Sequence, residues 1–220
     1  MKKIKEPVSG ISHLIGAIVA VAGLVILILK AATKGTETAW DVVSVTIFGV
    51  GLILLYTFSS LYHMLNVGKT ATRVFRKFDH LMIYVLIAAS YTPICLGPLR
   101  GPWGWSIFGI VWGLTVLGII LTCVWLEAPR WLTTSIYIIM GWLVLIMIYP
   151  LITTFEKLGA THILWWLVIG GIFYTIGGII YGTKKFPFVT KHFGFHEIFH
   201  IFVMLGSLCQ YIFVLKMISY

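Results

Sequence analysis

Residues 9–29 read SGISHLIGAIVAVAGLVILIL, with no Asp, Glu, Lys or Arg among them. As a helix rising about 1.5 Å per residue, this run covers roughly 31 Å, the thickness of a bilayer's hydrocarbon core. Such a stretch needs an apolar solvent, so it predicts a membrane span. The preceding MKKIKEP has the positive charge of a signal peptide's opening. The apolar run is longer than a signal peptide's apolar region, so we read an uncleaved first span.

The same reading extends through the chain. Of 220 residues, 60% are apolar and only 10% charged, against about 25% charged in soluble domains. Mean hydropathy is +1.01. Seven spans are expected, at about 9–29, 39–64, 79–96, 103–126, 131–151, 162–181 and 196–217. Between them lie polar or basic stretches, Gly97, Pro98, Gly101 and Pro102 together, and a tight turn at Pro129. The longest polar stretches, 66–78 and 183–195, are too short to bury a core of their own. The expectation is one polytopic domain over residues 1–220, an all-α seven-helix membrane bundle, with no internal repeat.

Basic residues give the direction. Of 16 Lys and Arg, eleven fall at the N-terminus or in even-numbered loops: Lys2, Lys3, Lys5, Lys69, Arg73, Arg76, Lys77, Arg130, Lys184, Lys185 and Lys191. Positive residues favour the cytoplasm, so the N-terminus is expected inside and the C-terminus outside. Trp40, Trp103, Trp105, Trp165 and Trp166 then mark the outer interface, Trp125 and Trp131 the inner one. The net charge of +9 sits between spans. It speaks for orientation and anionic lipid, and against a nucleic-acid partner. Cys95, Cys123 and Cys209 lie in apolar runs without CxxC spacing and read as buried structural thiols. Gly109-x-x-x-Gly113 and Gly178-x-x-x-Gly182 read as close helix contacts. Pro93 is expected to kink the third span, which a membrane helix tolerates.

This topology gathers histidines at the cytoplasmic end. His63 falls near the end of the second span. Asp79 and His80 fall on the first turn of the third. His196 falls on the first turn of the seventh, with His200 one turn deeper, and His13 near the start of the first. His192 lies in a basic loop on the same side; His162 lies at the outer interface. Polar ionisable residues inside spans are costly and functional by default. An i,i+4 pair such as His196 and His200 shares one helix face, a spacing suited to a common ion. Ser59 and His63 share that spacing. His63, His196 and His200 could supply three imidazoles to one metal, with Asp79 behind the ligands or as general base and Ser59 as hydrogen-bond donor; Asp79, below four basic residues, could equally form a salt bridge that holds the loop. A satisfied structural polar network is the other reading.

His196-Glu197-Ile198-Phe199-His200 also spells H-E-x-x-H, the zincin pattern. Glu197 is rotated about 100° from His196 on a helix. The Leu-Asp-Gly motif of intramembrane metalloproteases is missing. The protease reading is therefore subordinate.

Taken in order, Glu6-Pro7, Ser12-His13, Ser59-x-x-x-His63, Phe78-Asp79-His80, Tyr91-Thr92-Pro93 and His196-x-x-x-His200 resemble the haemolysin III branch of the progestin and adipoQ receptor family. The resemblance covers essentially the whole chain. It implies Zn²⁺ held by His63, His196 and His200, with Asp79 acting through water and Ser59 nearby. It also implies a multi-pass protein of the bacterial cytoplasmic membrane, associated with membrane-lipid homeostasis. The wider superfamily includes alkaline ceramidases. The expected activity is thus zinc-dependent hydrolysis of an amide or ester bond in a membrane lipid. The alternatives are a sensor or regulator clamped by structural zinc, and a haemolysin-like channel or pore.

Overall fold

The computed structural model describes residues 4–34, 39–186 and 193–220. His192, Lys2, Lys3 and Lys191 lie outside the described residues. Helix α1 spans Pro7–Ala32, α2 Ala39–Met64, α3 Lys69–Leu96 and α4 Pro102–Val124. Helix α5 (Arg130–Trp142) passes through a 3₁₀ segment, Leu143–Met147, into α6 (Ile148–Lys157). A short 3₁₀ turn, Thr161–Ile163, leads into α7 (Leu164–Thr183), and α8 covers Phe195–Met217. Pro7 and Pro102 open their helices at positions where the missing N–H costs nothing. Among the described residues, seven helical segments are long and apolar enough to cross a membrane, with α5, its 3₁₀ segment and α6 together forming the fifth.

Packing follows chain order, α1 on α2, α2 on α3, α3 on α4, with α7 on α8 and α5. At one end, the Glu6 N–H donates to the His63 carbonyl (2.9 Å), so α1 begins where α2 finishes. At the other end, Lys30 Nζ donates to the Leu215 carbonyl (2.8 Å), bringing the ends of α1 and α8 together. Helices α1 and α8 therefore run the same way, and the N- and C-termini sit at opposite ends of the bundle. Trp40 and Trp105 meet edge to face at the C-terminal end.

Tyrosine rings lie over glycines where helices approach closely. Added Cβ atoms at Gly16, Gly23 and Gly206 would stand 3.1, 2.9 and 2.8 Å from the rings of Tyr56, Tyr211 and Tyr174. One at Gly118 would enter the ring of Tyr84, which is fully buried. Small residues permit this approach where the lipid supplies no hydrophobic drive between helices.

Four expectations need correction. The third helix begins ten residues before the expected span, at Lys69, so Asp79 and His80 lie in its third turn. The polar sequence before Asp79 prolongs the helix beyond the apolar stretch, and hydropathy alone does not register it. The fifth span is not one α-helix. The Tyr91 hydroxyl accepts from Val144 N–H (2.8 Å) and lies 2.6 Å from the Gly141 carbonyl. It thereby serves backbone groups at the break, which makes such a break tolerable in lipid. Pro150 then falls in the first turn of α6, where no intrahelical donor is required. Gly109 and Gly113 face open space, whereas Gly178 and Gly182 pack on Thr134 of α5. Finally, Cys95 and Cys209 are buried but Cys123 is exposed, and all three are free.

Gly118→Ala should destabilise the bundle by about 1–3 kcal/mol, the range for overpacking. Gly109→Ala should stay within about 0.5 kcal/mol, as for a surface change. Unfolding in one detergent would compare them. Equal stabilities would refute the close contact of α4 with Tyr84.

Candidate metal centre

The sequence spacing becomes geometry at the N-terminal end of the bundle. His63 is the penultimate residue of α2, with Ser59 one turn before it. His196 is the second residue of α8, with His200 one turn further in. Their ligand-type atoms all lie within 4.8 Å of one another. The Nε2 atoms of His63 and His196 stand 3.2 Å apart. Two nitrogens bound at about 2.0–2.1 Å to one tetrahedral zinc would be separated by about 3.3 Å. The same separation suits an imidazole–imidazole hydrogen bond.

Burial sharpens the choice. His63, His200 and His13 are 1, 2 and 3% exposed. Among the described residues, buried His200 Nδ1 and both nitrogens of His13 lack a well-aligned hydrogen-bond partner. Buried polar groups ordinarily have partners, and a bound ion is one such partner beside a structural polar network. The His13 ring stacks on His200 (centroids 3.8 Å, 15° between planes) and meets Tyr56 edge to face. His13 thus supports the face of His200 and is not one of the mutually close donors.

The first turn of α1 also reaches the cluster. Glu6 Oε2 contacts His63 Nδ1 and Lys5 Nζ lies 3.7 Å from Glu6 Oε1. The hydrogen bond with His63 holds the Glu6 carboxyl down to about 2; partial burial opposes it and Lys5 adds to it. Glu6 is therefore a carboxylate at neutral pH.

Glu197 has another task. Its Oε2 accepts the Gly194 N–H (2.8 Å) and its Oε1 accepts the Ser9 hydroxyl (3.2 Å). Both oxygens of the H-E-x-x-H carboxylate are occupied in capping α8 and fastening it to α1. This agrees with the subordinate place of the protease reading.

Asp79 and Ser59 join His13, His80, His196 and His200 around the polar end of a cavity of about 200 Å³. From there the cavity runs between α3, α5, α7 and α8. Its walls are mostly apolar, including Ile83, Ile87 and Ile94 of α3, Ile138 and Trp142 of α5, and Val203 of α8. Along α3, the rise from Asp79 to Ile94 is about 22 Å. Ser59 is buried, and Asp79 is partly exposed. Asp79 is not among the mutually close donors, so the cluster offers three protein ligands. His80 lines the cavity, and its carbonyl accepts the Tyr137 hydroxyl (3.4 Å). His162 lies at the other end of the bundle beside Tyr220.

The structure thus brings together His63, His196 and His200, and places Asp79 and Ser59 on one cavity with two of them. Sequence reading quoted Glu6 without giving it a role, and missed Ser9 and Arg130. Arg130 lies over the rings of Tyr181 and Phe195 (5.3 and 5.6 Å) at this same end. An acidic residue just before a proline that opens a span was the available signal for Glu6.

Comparison with known proteins gives a consistent picture. The sequence profile described as Haemolysin-III related matches residues 1–211. The chain is 41% identical over 216 residues to the hemolysin-3 homolog of Bacillus subtilis (strain 168), covering 98% of this chain and 95% of that protein. It is 40% identical over 211 residues to hemolysin-3 of Bacillus cereus, covering 96% and 90%. More distantly, it is 26% identical over 185 residues to the human monocyte to macrophage differentiation factor, covering 80% and 71%. With its seven apolar helices, this is a multi-pass membrane protein, and the chain belongs to the haemolysin-III-related family.

Proposed function

We propose that the protein holds one Zn²⁺ through His63, His196 and His200 and hydrolyses an amide or ester bond of a membrane lipid. The observation that carries this reading is the cluster of three mutually close imidazoles, two of which, His196 and His200, line a mostly apolar cavity. Structural zinc sites use four protein ligands, whereas catalytic sites use three and keep one position open. Three histidine donors among the described residues, two of them on a cavity, favour catalysis over a structural clamp. Zinc in such a site supplies Lewis acidity and lowers the pKa of water from about 16 toward about 7.

The chain's own residues then divide the work. The apolar walls between α3, α5, α7 and α8 take a lipid chain and exclude water. Asp79, on the α3 wall, takes the proton of the attacking water. Ser59 donates its hydroxyl to the carbonyl oxygen as charge builds there. His13 holds the ring of His200 in place. The charge asymmetry of the loops supports a cytoplasmic location for this centre, with substrate entering from the inner leaflet.

Two curated relatives carry the name hemolysin. A water-filled pore would need a polar lining, and the mostly apolar cavity does not favour it.

Protein purified in detergent should contain about one zinc per chain. His63→Ala and His200→Ala should lose it, together with hydrolysis of lipid amides and esters. Elemental analysis beside a substrate screen makes the test. Undiminished hydrolysis by metal-free His200→Ala would rule the mechanism out.

Asp79→Asn should separate binding from chemistry. Zinc content should stay at the wild-type level while turnover falls about 10²–10⁴-fold, the usual contribution of a general base. Turnover within twofold of wild type would remove Asp79 from the mechanism.

A further inference from the structure

We propose that Glu6 is the positioning carboxylate of His63, fixing which ring nitrogen faces the metal. The inference rests on the zinc reading above and extends it to a residue outside the ligand set.

The geometry assigns the two nitrogens of His63 to different neighbours. Nδ1 contacts Glu6 Oε2, and Nε2 lies 3.2 Å from His196 Nε2. A carboxylate only accepts hydrogen bonds, so the proton sits on His63 Nδ1. With Nδ1 engaged by the carboxylate, Nε2 is the nitrogen left facing the cluster and available to a metal there. Metal-binding histidines characteristically donate their second nitrogen to a carboxylate or carbonyl, which sets tautomer, ring angle and basicity.

Glu6 is held for this task. Its N–H donates to the His63 carbonyl (2.9 Å), so backbone and side chain both engage the same residue. Its own carbonyl accepts the Gly10 N–H (3.0 Å), and Pro7 fixes the chain direction just after it. Helix α1 supplies none of the three donors, yet its first two turns meet both helices that do. Glu6 contacts His63, Ser9 contacts Glu197 beside His196, and His13 stacks on His200. The first helix is thus the outer support of the centre.

A mere ion pair joining α1 to α2 would affect folding stability and leave zinc affinity alone. The test is competition for zinc between a chromophoric chelator and full-length protein in detergent, a readout independent of turnover. Glu6→Ala removes the acceptor; Glu6→Met removes it at similar length and guards against a cavity that prevents folding. Each should bind zinc about 10–100-fold more weakly than wild type, the usual effect of losing such a partner. Glu6→Gln, which keeps a carbonyl acceptor, should recover most of that loss. Wild-type zinc affinity in a folded Glu6→Ala or Glu6→Met variant would overturn the assignment. A wild-type protein that takes up no zinc would instead overturn the zinc reading, and this inference with it.

Discussion

Polar groups inside an apolar bundle need partners, and here His13, His63, His196 and His200 are packed against one another at one end of it. His63 and His196 face each other through Nε2 at 3.2 Å. Among the described residues, His200 Nδ1 and both nitrogens of His13 lack a well-aligned hydrogen-bond partner. Unsatisfied buried groups cost on the order of 1–3 kcal/mol each. Holding several of them in contact is unfavourable unless a ligand offsets that cost. In the proposed site, an ion shared by His63, His196 and His200 would do so. The ends of α1, α2 and α8 meet at this cluster. Glu6 and Ser9 bring the first turn of α1 onto the other two helices, and Glu197 caps α8 from within.

The cavity gives that end of the bundle its chemical meaning. Asp79 and the histidines lie at one end, and the rest is mostly aliphatic and aromatic, with Ser90, Thr175 and Gln210 also on its lining. An amphiphile with one polar linkage and a long apolar chain matches that division. A soluble peptide does not, and the commitment of Glu197 to Gly194 and Ser9 removes the base a zincin would need. Membership of the haemolysin-III-related family fixes the architecture but does not supply the chemistry, which must be argued from the site.

Much of this was legible in the sequence, for physical reasons that differ by element. Helix α2 has the expected bounds and α8 departs by one residue, because both coincide with an apolar run. Helix α3 does not, because Lys69–Phe78 is helical without being apolar, and hydropathy reports the solvent more than the backbone. The break after Trp142 is tertiary. It depends on a hydroxyl from Tyr91, about fifty residues away, although Pro150 carried part of the signal. At the site, the i,i+4 spacing put His196 and His200 on one face, and helix direction alone brought His63 to them. Asp79 was expected on a first turn; it lies in the third, yet still on the cavity. The role of Glu6 was out of reach, because it depends on how α1 enters the bundle beside the end of α2.

The most direct test of the account is X-ray absorption at the zinc edge of the purified protein. The account predicts a first shell of three imidazole nitrogens near 2.0–2.1 Å and one oxygen, with the imidazole signature lost in His196→Ala. A shell of oxygens alone, a shell containing sulfur, or a spectrum unchanged in His196→Ala would contradict it.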